Sequence, residues 1–192
     1  MEIHPINLYG RWDNGWALDI HTISSVYLGD DPFGHPRYDT TRSDIGELMY
    51  QLKYQVNTNV LPAIVNEVTR FLESKDLLSC IDLIIPAPPT KARTFQPVFA
   101  IAEAVAKQNN IFFSDDALVK TSTLEAKSMD WSEKKKLSGS VHFTKEFIRP
   151  CNVLLIDDIF KSGSTLNACV DALRADPKTK KIYVLTMTKT KN

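Results

Sequence analysis

Four consecutive apolar residues, Val153-Leu154-Leu155-Ile156, run straight into two acids, Asp157 and Asp158. A half-exposed strand would alternate apolar with polar, so this run predicts a strand covered on both faces. Such a strand belongs inside a parallel sheet with helices on either side. The flanking sequence supplies the other pieces. Ile81–Ile85 and Ile111–Phe113 read as short strands, and Ile182–Leu185 closes the series. Phe95, Val98, Phe99, Ala102 and Val105 mark one helix, and Leu166, Cys169, Val170 and Leu173 another. This alternation over residues 80–188 predicts an α/β fold with a mainly parallel sheet flanked by helices. Ligands of such sheets sit beyond the carboxyl ends of the strands.

Residues 43–75 read as helical. Asp44 with Glu47 three residues on forms a capping pair, and Ile45, Leu48, Met49 and Leu52 share one face. Pro62 suits the first turn of a second helix, whose stripe is Leu61, Ile64, Val65, Val68 and Leu72. Residues 1–42 differ in texture. Strand-like runs at 16–23 and 25–28 are separated from the rest by the turns Gly29–Pro32 and Gly34–Pro36. The expected organisation is a small β-rich cap or hood at 1–42 and one α/β domain at 43–192.

Lys and Arg total 23 and so do Asp and Glu, giving a formal charge of zero. A protein that grips nucleic acid chiefly through phosphates carries a basic excess, so anion binding here must be local. No apolar run approaches the roughly 18–20 residues of a membrane span, and the first residues do not read as a signal peptide. Cys80, Cys151 and Cys169 form no CxxC pair and leave an odd thiol, as in a reducing cytoplasm. His4, His21, His35 and His142 lack metal-ligand spacing, so no protein-ligated metal is expected.

The chemistry concentrates between Val153 and Thr165. After the acids come Lys161-Ser162-Gly163-Ser164-Thr165 and the start of a helix. A small-residue turn into a helix presents N–H groups and the positive dipole end, which suits a phosphate. Gly163 admits close backbone approach, and Ser162, Ser164 and Thr165 add hydroxyl donors. Asp157 and Asp158 are acceptors suited to the paired hydroxyls of a ribose. A plain helix cap at Ser164 or Thr165 is the competing reading. A Walker-type metal site or a dinucleotide site would need glycine-rich motifs that the sequence lacks.

These thirteen residues, Val153 to Thr165, resemble the phosphoribosyl pyrophosphate (PRPP) signature of type I phosphoribosyltransferases. The surroundings resemble the ComF-like branch: Leu48-Met-Tyr-Gln-Leu-Lys53-Tyr54, Ile84-Ile-Pro-Ala-Pro-Pro89, Arg93-Thr-Phe95-Gln96-Pro97 and Phe143. The N-terminal four-cysteine zinc element of many ComF-like proteins is missing. The resemblance implies a transferase that binds PRPP and passes its phosphoribosyl group to a base or amine, releasing pyrophosphate. Asp157 and Asp158 would hold the ribose hydroxyls, and Lys161, Ser162, Gly163, Ser164 and Thr165 the 5-phosphate. Ala87, Pro88, Pro89, Thr90 and Lys91, with Arg93 beside them, would hold pyrophosphate. Mg²⁺ is expected to bind mainly through PRPP.

The polar stretch 120–140 would be the loop that closes over the substrate. Its lysines, Lys120 and Lys127 above all, would stabilise charge on the departing pyrophosphate as catalytic groups, and a solvated polar face is the competing reading. The run Lys134–Lys136 is the weaker candidate. Trp12 and Trp16 read either as base-stacking groups or as core. The five lysines between Lys178 and Asn192 read either as a polyanion contact or as solvation. Two other functions stay open: a non-catalytic PRPP-binding regulator, and a ComF-like accessory protein of DNA processing. Family dimers make a homodimer an expectation too.

Overall fold

A computed structural model describes residues 1–89, 93–120 and 141–191. The main sheet has six strands: β1 (Ile6–Asn7), β2 (Asn14–Ile20), β5 (Leu83–Pro86), β6 (Phe112–Phe113), β9 (Cys151–Phe160) and β10 (Thr179–Lys189). Their spatial order is β1-β2-β10-β9-β5-β6. Every neighbouring pair is parallel except β1 with β2. A hairpin of β3 (Thr22–Asp30) and β4 (Pro36–Arg42) makes a second, two-stranded sheet. β7 (Leu118–Lys120) and β8 (Val141–Phe143) pair antiparallel in a third.

The division foreseen at residue 42 does not follow the sheet. β2 lies parallel to β10 from Asn14 opposite Tyr183 to Ile20 opposite Lys189, so it is part of the main layer. Ala17 and Leu18 on it are fully buried, one on each face. Within residues 1–42, the β3–β4 hairpin is the part that lies outside the main sheet.

Strand pleating divides the core in two. Leu154 and Ile156 face one way, with Leu18, Ile84, Leu185 and Met187, against α1 (Asp44–Tyr54), α2 (Leu61–Ser74) and α3 (Pro97–Gln108). Val153 and Leu155 face the other way, with Ala17, Ile85 and Val184, against α4 (Ser164–Arg174) and the β7–β8 pair. The expected apolar strand is thus covered on both sides.

Two boundaries differ from the sequence reading. The cap of α1 is Ser43, whose Oγ accepts from the Gly46 N–H at 3.1 Å and donates to the Ile20 carbonyl. Asp44 and Glu47 lie in the first turn, where their charge complements the dipole. β10 extends well beyond Leu185, because Thr186 and Thr188 are fully buried between β2 and β9. Their hydroxyls donate to the carbonyls of Thr188 and Asp158, so they enter the core paired.

Candidate functional site

β9 does not stop at Ile156. It continues through the acid pair to Phe160, because β10 keeps pairing with it as far as Lys189 opposite Phe160. β5 drops out earlier, at Pro86 opposite Ile156, and one last bond runs from the Ala87 N–H to the Ile156 carbonyl at 2.8 Å. From Asp157 onward, among the described residues, β9 therefore has a strand neighbour on one edge only. The open edge faces the chain leaving β5, and a cavity of about 450 Å³ lies there.

The cavity gathers most of the residues singled out in the sequence. Asp157, Asp158 and Lys161 through Thr165 line it, as do Ala87, Pro88, Pro89 and Arg93. Thr90, Lys91 and Lys127, together with Lys134–Lys136 and Trp131, lie outside the described residues. Lys120 ends β7, half-buried, and is not on the cavity wall. Trp12 is sealed in the core, where its indole N–H donates to the Leu8 carbonyl at 3.0 Å. Trp16 packs edge-on against Phe71, so the core reading holds for both tryptophans.

The turn after β9 has the shape of an anion cradle. Gly163 takes a left-handed φ of 75° as the N-cap of α4, and no side chain caps that helix. The cap reading of Ser164 and Thr165 therefore falls away. Ser162 and Ser164 share a hydroxyl hydrogen bond of 2.9 Å at the cavity wall. The start of α4, the positive end of its dipole, stands at the cavity wall, where the Ser164 N–H donates to Ser162 Oγ at 3.4 Å.

The acids point to opposite faces of β9, as adjacent strand residues must. Asp157 takes the α4 side, and its Oδ1 accepts from the Asp158 N–H at 2.8 Å. Burial, and then the neighbouring Asp158 carboxylate, push its carboxyl up to about 7. Asp158 takes the α1 side, where it pairs with Lys53. That pair is mostly covered, with side-chain exposures of 24% for Lys53 and 17% for Asp158, so solvent screens it weakly.

Lys53 is the site residue that the sequence did not assign. It lies 105 positions from Asp158, and only tertiary structure joins them. Its one signal was its place in the Leu48–Tyr54 segment. Lys53 also lines the cavity, and its carbonyl accepts from Arg93 at 3.5 Å. His21 is held below its ordinary value by burial and then by Arg42 and Lys53, with Asp158 opposing and Lys161 adding to the effect.

The fold matches solved enzymes. Adenine phosphoribosyltransferase from Saccharomyces cerevisiae superposes over 87% of this chain and 85% of its own, with TM-score 0.51 and 12% identity. The Trypanosoma brucei enzyme matches over 97% and 74%, with TM-score 0.49 and 14% identity. UMP synthase of Leishmania donovani matches over 83% of this chain at TM-score 0.41 and 14% identity, and this chain spans only 27% of it. The fold is that of a type I phosphoribosyltransferase. No family model and no curated protein sequence matches the chain. Among the described residues, no helix is long and apolar enough to cross a membrane.

Proposed function

We propose that the chain is a phosphoribosyltransferase whose cavity binds PRPP and transfers its phosphoribosyl group to a nitrogen acceptor. One observation carries the reading: the open edge of β9 puts an acid pair, an uncapped helix start and the loop after β5 around a single cavity. In this reading the α4 cradle, Lys161 to Thr165, takes the 5-phosphate. Asp157 and Asp158 accept from the ribose hydroxyls, and Ala87 to Pro89 with Arg93 face the pyrophosphate. The acceptor nitrogen attacks the anomeric carbon, the bond to pyrophosphate oxygen breaks, and the transition state gains oxocarbenium character. The protein contributes orientation and electrostatic support for the leaving group rather than a covalent step.

In this reading Mg²⁺ would arrive with PRPP and neutralise its pyrophosphate oxygens. The ComF-like kinship rests on the motifs alone, and the place of Lys53 at the cavity is consistent with it. We read the β3–β4 hairpin as the remnant of the expected hood. Calorimetric titration with PRPP and Mg²⁺, paired with pyrophosphate release over a panel of bases, tests the function. Saturable binding with base-dependent release is expected. No binding at millimolar PRPP overturns the reading, and tight binding without turnover with any base turns it to the regulator.

A further inference from the structure

Lys53 sits in the last turn of α1, where a lysine is ordinarily a solvated partner of the helix dipole. Here it is turned inward. Its ammonium pairs with the Asp158 carboxylate, and only 24% of its side chain is exposed. Covering an ammonium is costly unless it is paired. The pair also forms part of the cavity wall, since both residues line it. Asp158 is therefore anchored from another element, 105 positions away in the chain. Asp157 is held differently: its Oδ1 accepts from the Asp158 N–H, within β9 itself.

Position separates the two acids further, given the phosphoribosyl reading above, on which this inference rests. Asp157 faces α4, close enough to Cys169 to act on its thiol, and the start of α4 is the 5-phosphate cradle. Asp158 faces α1, and there the Lys53 carbonyl accepts from Arg93, beside the loop that leaves β5. On a ribose, the 3-hydroxyl lies toward the arm that bears the 5-phosphate. The 2-hydroxyl lies next to the anomeric carbon and its pyrophosphate. The 2-hydroxyl thus falls to Asp158. A carboxylate tied to a covered cation keeps one direction for its donor, whereas an untied one must be ordered when the ligand binds, at a cost in affinity.

We propose that Lys53 is a positioning residue: by anchoring Asp158 it sets the preference of the site for a ribosyl over a 2-deoxyribosyl phosphate. Calorimetry with ribose 5-phosphate and 2-deoxyribose 5-phosphate tests this, read as the ratio of their affinities. The ratio cancels the general pull of the Lys53 charge on a phosphate, which both probes feel alike. A hydrogen bond to a charged group is worth roughly tenfold to hundredfold in affinity, so the parent protein should prefer the ribose probe by about that much. Lys53→Met should cut the ratio to about threefold or less, the range of an ordinary hydrogen bond, and Lys53→Arg should keep most of it. Asp158→Asn should also lower the ratio, and adding Lys53→Met to it should change the ratio no further. Should Lys53→Met fail to fold, Lys53→Gln carries the same comparison. Three results overturn the proposal and leave the phosphoribosyl reading intact: a parent without preference for the ribose probe, a ratio that Lys53→Met preserves or raises, or a further change of ratio when Lys53→Met is added to Asp158→Asn. Failure of ribose 5-phosphate to bind the parent defeats both.

Discussion

Replacing Gly163 by alanine strains the cradle in two separate ways. Its φ of 75° lies in the left-handed region, where an L side chain costs about 1–2 kcal/mol. A Cβ there would also stand 2.9 Å and 3.1 Å from two atoms of the Phe160 ring. Phe160 is backed by buried Trp12, which it meets edge-on with centroids 6.2 Å apart, so it can give way only toward the cavity it lines. Overpacking of this kind adds at least about 1 kcal/mol. The total is roughly 2–4 kcal/mol, or a fall in Tm of about 5–15 °C for a chain of this size. Gly34 supplies the control. Its φ is 80°, yet a Cβ there meets nothing within 4 Å, so only the backbone cost applies. Thermal melts of Gly163→Ala and Gly34→Ala, with ribose 5-phosphate titrations of both, separate the contributions. Gly163→Ala should melt lower than Gly34→Ala by about 2–4 °C or more, and it alone should lose affinity. Equal melting shifts with unchanged affinity would refute the reasoning.

Asp157 makes stability depend on pH in an unusual direction. Its carboxyl is raised from 3.8 to about 7 in the folded chain, chiefly by burial, so the folded state holds an extra proton in that window. Its contribution to stability is greatest at the acid end and declines as pH rises to about 7. Denaturant midpoints of Asp157→Asn should lack that decline, and a variant with the same slope as the parent would contradict it. The thiols give a second check: burial pushes Cys151 up to about 11 and Cys169 up to about 12, whereas Cys80 is exposed. Iodoacetamide at pH 8 should label Cys80 alone in the folded protein and all three thiols once it is unfolded, as read by mass spectrometry. Ser43→Ala removes the α1 cap and should cost about 1 kcal/mol, seen as a Tm lowered by about 2–4 °C.

The parts of the site that could be read from sequence are those contiguous in it. Val153 to Thr165 carries strand, acids, turn and helix start in one run, and each piece has its own local signal. Lys53 was out of reach because its partner Asp158 is set by how α1 crosses the sheet. The acid pair was expected after the strand, yet β10 extends the strand through it. The parallel place of β2 was hidden for a related reason. Asn14–Ile20 mixes Trp16 and Asp19 with small and apolar residues, and nothing local tells an added sheet strand from a separate cap. Asp19 tolerates burial because it accepts from the Ile20 and His4 N–H groups, a pairing invisible in the sequence. Threonines 186 and 188 concealed the true length of β10 in the same manner.

A crystal structure with PRPP bound is the most direct test of the central claim. It should place the 5-phosphate against Lys161–Thr165, the ribose hydroxyls on Asp157 and Asp158, and the anomeric carbon open to an acceptor. A sugar phosphate seated elsewhere on the molecule, with the edge of β9 untouched, would contradict it.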